Sequence, residues 1–163
     1  MELRSYQALD DADCLAVFDS NVPTFFAPHE RAEFAEFLAQ STDPYFVVVD
    51  AQGQVIGCGG YYIMHERAAA GLTWGMVYNH RHRQGVGRFL LIARLQRICQ
   101  EPAVTHVLIN TSQHSYGFFA KVGFVVEAIV ENGFAEGLDE YKMRLHLTPE
   151  VQQSLNNKPP ESV

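Results

Sequence analysis

The chain has 163 residues, of which 47% are apolar and 19% charged, and its net charge is −7 at pH 7. These proportions are typical of one soluble globular domain with a sizeable core. The acidic balance argues against a nucleic-acid partner, because binding a nucleic-acid backbone requires an extended basic surface. It suits a cationic or amine substrate. No apolar run could span a membrane, and three isolated cysteines favour a reducing compartment. We therefore expect a cytoplasmic protein with no membrane partner.

The first third of the chain predicts one strand and two helices. The segment 3–9 alternates in part and is a predicted strand. Asp10 can cap the helix that follows, which runs to about Asp19. A second helix begins near Pro28, and its aromatic stripe is expected to pack in the core. An alternative is that this region walls a substrate pocket with the side chains of Phe25, Phe26 and His29.

The middle of the chain predicts three consecutive strands, at residues 45–50, 54–63 and 72–78, because β-branched and aromatic residues dominate there. A turn at 51–53 makes a hairpin of the first two. The second strand is weakened by glycines that indicate a bulge or the close approach of a ligand. These are Gly57, Gly59 and Gly60.

The second half of the chain alternates helices and strands. The predicted elements are a helix at 87–100, a strand at 104–110, a helix at 115–122, and strands at 124–130 and 141–147 joined by a Gly-rich acidic connection at 132–140. In the helix 87–100, Leu91, Leu95 and Ile98 form a buried face, with Arg94, Arg97 and Glu101 on another. Residues 1–147 are expected to form a single domain, and 148–163 a frayed tail. The order β-α-α-β-β-β-α-β-α-β-β predicts an α/β fold: a mixed sheet with helices on both faces.

A glycine-rich loop between the strand 72–78 and the helix 87–100 carries the strongest functional signal. Gly85 and Gly87 let the backbone turn sharply and let a ligand approach the N–H groups that open the helix. Those donors and the helix dipole favour an anion. The loop lacks the Gly-Lys-Ser/Thr of a P-loop, and Leu90 stands where a dinucleotide fingerprint requires a third glycine. The residues alone therefore predict a phosphate site without naming its ligand.

The element order, this Gly-x-Gly loop and the later Lys121-Val122-Gly123-Phe124 together resemble the GCN5-related N-acetyltransferases (GNAT). The resemblance extends from Leu3 to Leu147 and is best at 77–91, 110–124 and 137–143. It implies a mostly antiparallel sheet of six or seven strands with about four helices. It also implies an acetyl-CoA-dependent N-acetyltransferase, and it allows a homodimer paired through the last strands. The alternative function is a GNAT fold that binds acyl-CoA as a sensor or scaffold without transferring the acyl group.

The resemblance assigns acetyl-CoA to three parts of the chain. In the family the loop amides hold the pyrophosphate, the exposed amides of the fourth strand hold the acetyl carbonyl and pantetheine, and residues after the fifth strand contact CoA. The corresponding residues here are Arg83, Gln84, Gly85, Val86, Gly87 and Arg88; Gly75, Met76 and Val77; and Asn110, Ser112 and Phe119. The family pattern starts with Arg or Gln where this chain has His82, which affects one side-chain contact but leaves the amides in place.

The acid of the reaction departs from the family pattern. The tyrosine that often protonates the departing thiolate corresponds to Phe119, which has no proton to donate. Tyr116, three residues earlier on the same side of the helix, is a substitute. The other alternative is a reaction with no acid, because a CoA thiolate is a fairly good leaving group.

The base is also open, because the predicted fourth and fifth strands hold no carboxylate at their centres. His80 and Glu66 are the first candidates, and His65 and Glu131 are further ones. His80 and His82 lack a third ligand in the sequence, so we expect no metal site. A small primary amine is the first expected acceptor, and a protein N-terminus or lysine the second.

Overall fold

Residues 1–158 are described in a computed structural model, in which seven strands form one sheet flanked by five α-helices. The strands are β1 (Glu2–Ser5), β2 (Tyr45–Val49), β3 (Val55–Met64), β4 (Ala69–Val77), β5 (His106–Thr111), β6 (Val125–Ala135) and β7 (Leu138–His146). The helices are α1 (Asp11–Asp19), α2 (Glu30–Gln40), α3 (Val86–Ile98), α4 (Tyr116–Ala120) and α5 (Pro149–Asn156). The predicted order β-α-α-β-β-β-α-β-α-β-β is confirmed, with one helix added at its end.

The sheet has the strand order β1-β2-β3-β4-β5-β7-β6. Each neighbouring pair is antiparallel except β4 and β5, which are parallel, so the predicted mixed and mostly antiparallel sheet is confirmed. The parallel pairing joins 69–71 of β4 to 106–108 of β5 and stops at Gly71 and Leu108. Because β4 continues to Val77 and β5 to Thr111 without further pairs, a cleft opens between their carboxyl-terminal halves.

The two faces of the sheet pack against different helices, as the alternation of side chains along β2 shows. Tyr45, Val47 and Val49 lie in one cluster with side chains of α1 and α2, whereas Phe46 and Val48 face α3. On α3, the predicted buried residues Leu91, Leu95 and Ile98 are fully buried. At roughly 1.5–3 kcal/mol for each such side chain, this packing fixes the start of α3 beside the cleft.

A β-bulge interrupts the pairing of β3 with β4 at Gly59, one of the glycines that indicated either a bulge or the close approach of a ligand. Cys58 pairs with Met76 and Gly60 with Thr73, so the single residue Gly59 faces both Trp74 and Gly75. Trp74 adopts a left-handed backbone conformation with a φ of 42°. A bulge bends its strand and increases its twist, which turns the end of β4 away from β5 and widens the cleft.

The structure differs from the predicted elements near the C-terminus. The segment 132–140 was expected to be a connection, but it is mostly strand, with β6 and β7 separated only by Glu136 and Gly137. The sequence there lacks apolar alternation because β6 is an edge strand and most of its side chains are exposed.

The segment 149–156, expected to be part of a frayed tail, is helix α5. Thr148 caps it by accepting a hydrogen bond from the Val151 N–H, and Leu155 is 3% exposed against the core. One buried leucine in a polar segment is too weak a pattern to predict a packed helix. Pro159 and Pro160, also assigned to the tail, lie outside the described residues. No helix within residues 1–158 combines the length and apolar character that crossing a bilayer requires.

Candidate active site

The glycine-rich loop stands at the open edge of the cleft and leads into α3. Gly85 is the residue before the helix, with a φ of +84°, and a Cβ added there would meet nothing within 4 Å. Arg83, Gln84 and Gly85 are exposed, and no side chain in the described part of the chain caps the start of α3. A Cβ added at Gly87 would lie 3.6 Å from the ring of Phe118 on α4. The loop thus forms a shallow cradle of backbone donors of the kind that binds phosphate.

The cleft-facing edge of β4 offers a backbone donor at Val77. The Tyr78 N–H donates to the Ile56 carbonyl of β3 at 2.9 Å, and successive residues of an antiparallel strand point to opposite sides. Val77 therefore directs its own N–H and C=O away from β3 and towards the cleft. Met76 pairs with Cys58 and is 5% exposed, so its backbone faces β3. Of the three residues assigned to the acetyl group, Gly75 and Val77 line the opening.

His82 ties the loop to the end of β4. Its Nε2 lies 2.9 Å from the Val77 carbonyl, and Asn21 Nδ2 donates to the same oxygen at 2.9 Å. Because a carbonyl only accepts, Nε2 carries the proton, which leaves the lone pair of a neutral ring on Nδ1. The departure from the family pattern at this position thus provides a contact that the sequence did not indicate.

The connection between α1 and α2 lies across the mouth of the cleft. The ring of Phe25 is 5.1 Å from that of His82 on one side and 6.1 Å from that of His114 on the other. His114 follows β5, and its N–H donates to Ser112 Oγ at 3.3 Å. Phe25 belongs to the segment that the sequence offered as a pocket wall. His114 was missed, because only the fold brings it opposite the loop.

An aromatic cluster continues from this mouth along the α1 and α2 side of the sheet. Trp74, at the bulge, lies 5.1 Å from Phe34 and 6.1 Å from Phe26 between ring centroids. The Tyr45 hydroxyl donates to the Trp74 carbonyl at 2.9 Å. Trp74 and Phe26 are half-buried, so the cluster is core on one side and cleft wall on the other. His29 is exposed.

The structure separates the residues proposed for proton transfer. Glu66 precedes the start of β4, and Ala69 and Gly75 are roughly 20 Å apart along an extended strand, so Glu66 is not at the cleft. His80 is exposed and its ring packs at a tilt against that of Tyr78, with 4.5 Å between centroids, beside the loop. Neither side chain lies at the Gly75–Val77 edge.

Tyr116 opens α4 and stacks on Tyr141 with 4.7 Å between ring centroids. Tyr141 pairs with Thr111, so Tyr116 lies on the β7 side of β5 rather than the β4 side. Phe119 is 8% exposed and packs against Phe124 at 5.6 Å. The α4 side chain that points to the loop is Phe118, which is 37% exposed and which the sequence did not single out.

The remaining residues assigned to CoA line the β5 side. Asn110 is exposed next to the end of β5, and Ser112 is 3% exposed, with its carbonyl accepting from the Ser115 and Tyr116 N–H groups at 3.0 Å each. Ser112 thus shapes the turn into α4. Within residues 1–158, no three His, Cys, Asp or Glu side chains come close enough together to hold a metal ion.

Arg94 was expected on the polar face of α3, and this was wrong. It is 2% exposed, and its guanidinium lies under the β4 bulge, where Nη1 donates to the Gly60 carbonyl at 3.2 Å and Nε to the Leu90 carbonyl at 3.3 Å. Burial lowers its pKa to about 10. The sequence signal was indirect: Gly59 and Gly75 leave the space that the Arg94 side chain occupies.

Comparisons with known proteins agree with the fold. The family model described as an acetyltransferase (GNAT) domain matches residues 12–147. Among solved structures, a GCN5-related N-acetyltransferase from Kribbella flavida has a TM-score of 0.74 at 18% identity, covering 90% of this chain and 97% of its own. The ribosomal-protein-alanine N-acetyltransferase from Brucella melitensis has a TM-score of 0.70 at 19% identity, covering 90% and 100%. An aminoglycoside 6'-N-acetyltransferase complexed with coenzyme A has a TM-score of 0.73 at 14% identity, covering 91% and 98%. A comparison with curated protein sequences gives no match.

Proposed function

The chain belongs to the GNAT acetyltransferase family, and on that premise we propose that it transfers the acetyl group of acetyl-CoA to a primary amine, with a small-molecule amine as the preferred acceptor and a protein amine second. The observation that carries this is the end of the β4–β5 pairing at Gly71 and Leu108. The cleft beyond it opens at the same edge of the sheet as the anion-binding loop. A cosubstrate with a pyrophosphate at one end and a thioester at the other fits this arrangement.

Acetyl-CoA is proposed to lie with its pyrophosphate on the backbone of the loop and its pantetheine along β4. The open space around Gly85 and the shallow cradle at Gly87, which a Cβ would narrow, support the first contact. The N–H of Val77, which has no strand partner on the cleft side, supports the second. The residues proposed to bind the cosubstrate are those assigned by resemblance: 83–88, 75–77, Asn110, Ser112 and Phe119.

In the proposed reaction the amine nitrogen attacks the thioester carbon, and the carbonyl oxygen becomes negatively charged. Backbone donors at Gly75 and Val77 would stabilise that charge, because fixed N–H groups need no reorganisation as it develops. The C–S bond then breaks, its electron pair goes to sulphur, and the nitrogen loses a proton. The thiolate takes a proton from solvent or from Tyr116.

The titratable side chains that the fold brings to the mouth of the cleft are His82 and His114, on either side of Phe25. His114 is exposed beside Phe25, so its imidazole is available to take the amine proton through water. It is a better-placed base than His80 or Glu66.

The preference for a small amine rests on the width of the mouth. Phe25 contacts His82 on the loop side of the cleft and His114 on the β5 side. This leaves less room for an extended polypeptide than for a compact molecule. The half-buried rings of Trp74 and Phe26 next to the bulge give an approaching ammonium aromatic faces to contact. The chain's net charge of −7 favours the approach of a cation.

The test is amine-dependent release of CoA from acetyl-CoA, measured with a thiol reagent over a panel of small amines and peptides. Gly85→Glu places a carboxylate in the cradle and should abolish acetyl-CoA binding. Gly53→Glu is the matched control, because Gly53 has a φ of +81° and equally open surroundings but lies in the β2–β3 turn. Release with small amines supports the proposal. Binding of CoA with no release on any amine would overturn it in favour of an acyl-CoA sensor or scaffold.

A further inference from the structure

Arg94 is a buried cation with no opposite charge beside it among residues 1–158. Its carbonyl partners are Gly60 and Leu90, and none of the salt bridges among residues 1–158 includes it. The titratable groups that face it from the neighbouring strands are the phenol of Tyr45 and the thiol of Cys58, both buried. Burying an unpaired charge is strongly unfavourable, so an arginine at this position calls for a reason other than packing.

The side chain reaches its position through a gap made by glycines. A Cβ at Gly59 would stand 3.0 Å from Arg94 Nη1, and a Cβ at Gly75 would stand 2.9 Å from both Nη1 and Nη2. Gly75 is itself exposed. One glycine residue of the bulge therefore separates the guanidinium from the cleft.

The backbone of the bulge is held from both faces of the sheet. Tyr45 donates to the Trp74 carbonyl from the α1 and α2 side, and Arg94 lies against Gly75 from the α3 side. The peptide groups from Trp74 to Val77 are thus held in fixed orientations, although Trp74 has left-handed backbone angles. The guanidinium of Arg94 is held in place by the same contacts.

We propose that Arg94 is a charged positioning residue for acetyl transfer: its guanidinium under Gly59 and Gly75 holds the β4 bulge and stabilises the negative charge that forms in the cleft. The proposal rests on the proposed function, which places the thioester at the Gly75–Val77 edge. It gives this chain an electrostatic substitute for the family's tyrosine, whose position is Phe119.

The charge acts on both negative centres of the reaction. As the nitrogen–carbon bond forms, an electron pair moves to the carbonyl oxygen, and as the carbon–sulphur bond breaks, a pair moves to sulphur. One proton leaves the nitrogen for water or a histidine, and one reaches the sulphur from solvent, so the products are the amide and CoA thiol. A cation in a water-poor site stabilises the charged oxygen and sulphur far more than it would in water. It also favours the neutral, nucleophilic form of the amine.

The test compares Arg94→Met, which removes the charge at similar length, with Arg94→Lys, which keeps it. Arg97→Met is the matched control, because Arg97 is an exposed arginine on the same helix that stacks over Phe46 at 4.8 Å. Two readouts are used: kcat with the best amine, and the pKa of the thiol of bound CoA, followed through the ultraviolet absorbance of the thiolate. The second needs no acceptor and no turnover.

We expect Arg94→Met to fold and bind CoA, and to lose roughly 10- to 100-fold in kcat with little change in KM. The pKa of the bound thiol should rise by about one unit in Arg94→Met, less in Arg94→Lys, and not at all in Arg97→Met. An unchanged kcat and thiol pKa in Arg94→Met would overturn the proposal.

Two further outcomes separate this proposal from the proposed function. If the parent protein binds CoA but transfers nothing, the proposed function fails, while the shift in thiol pKa still tests the effect of Arg94. If Arg94→Met does not fold, Arg94→Gln provides an uncharged side chain that can still donate to the Gly60 carbonyl. Failure of both variants to fold would show that Arg94 is purely structural and would overturn the proposal.

Discussion

The guanidinium of Arg94 on α3 lies directly against Gly75 in the bulge of β4, where a Cβ would come within 2.9 Å of two of its nitrogens. The position of the Arg94 side chain and the absence of a side chain at Gly75 thus depend on each other. This contact determines where the bulge sits and which backbone groups face the cleft.

We expect Gly75→Ala to destabilise the protein by roughly 1–3 kcal/mol, because the new methyl group overlaps a buried side chain with little freedom to move. In an Arg94→Met background the loss should be less than half as large, since methionine adapts its shape. Urea unfolding of the single and double variants measures this coupling. Gly117→Ala is the control: a Cβ there meets nothing within 4 Å, and alanine in a helix should be neutral or stabilise by up to ~1 kcal/mol. Equal losses in both backgrounds would show that the two residues are independent.

Phe25→Ala should widen the range of accepted amines. The ring of Phe25 lies 5.1 Å from His82 and 6.1 Å from His114, so its removal opens the mouth between the two arms of the cleft. We expect kcat/KM to rise for bulky amines and peptides relative to the smallest amines, with an unchanged KM for acetyl-CoA. Steady-state kinetics over an acceptor series measures this change. The same order of preference in both proteins would show that Phe25 does not limit acceptor size.

Tyr116→Phe should keep most of the activity. Tyr116 stacks on Tyr141, on the β7 side of β5, and phenylalanine preserves that stacking while removing only the hydroxyl. The measurement is kcat with saturating acetyl-CoA, together with CoA affinity. A loss of tenfold or more in kcat at unchanged affinity would instead identify Tyr116 as the acid that protonates the thiolate.

Asp10→Asn should destabilise the fold by roughly 2 kcal/mol at neutral pH. The carboxylate accepts from Arg4 Nη2 at 2.7 Å, Arg4 Nη1 at 2.8 Å and the Gln7 N–H at 2.8 Å, and charge-assisted bonds of this kind are among the stronger ones. The hydrogen bonds from Arg4, chiefly, lower the pKa of Asp10. Its contribution is therefore present above the pKa of an unfolded aspartate, near ~4, and is lost as the pH falls through the lower folded value.

The difference in unfolding free energy between Asp10→Asn and the parent should accordingly shrink in acid. Asp19→Asn is the control, because Asp19 and Arg31 form a pair whose side chains are both 49% exposed and such pairs contribute little, about 0–1 kcal/mol. Denaturant titrations between neutral and acid pH measure both effects. A constant difference across that range would contradict the role of the Asp10 carboxylate.

Much of the fold could be predicted because local sequence patterns indicate most of its strands and helices. The apolar run of β2, the periodic leucines of α3 and the glycines of the loop each have a local cause, and the structure confirms the strand and helix they predict. The glycines of β3 indicated a bulge or a close ligand approach; a bulge is found opposite Gly59, with its extra residue in β4. Two errors had local causes as well: β6 is an edge strand whose exposure hides its alternation, and α5 carries one fully buried leucine.

The candidate site was less predictable, because its side chains belong to different elements. His114 and Phe25 meet at the cleft mouth although one follows β5 and the other precedes α2. Helical periodicity put Arg94 with Arg97 on a polar face, yet the two side chains differ completely in exposure. Helical periodicity predicts burial correctly when a helix packs on a flat surface. Here the sheet surface has a gap at Gly59 and Gly75, and the Arg94 side chain fills it.

By itself the sequence determined the order of the elements and predicted an anion site at the loop, because backbone conformation, helix dipole and glycine placement are local properties. Only the tertiary structure decided where β4 leaves β5, which amides face the resulting cleft, and which side chains surround it. These depend on the register of β3 against β4 and on how α3 packs beneath them. A buried guanidinium among glycines is stable only when strands distant in sequence enclose it, so its position belongs to the fold as a whole.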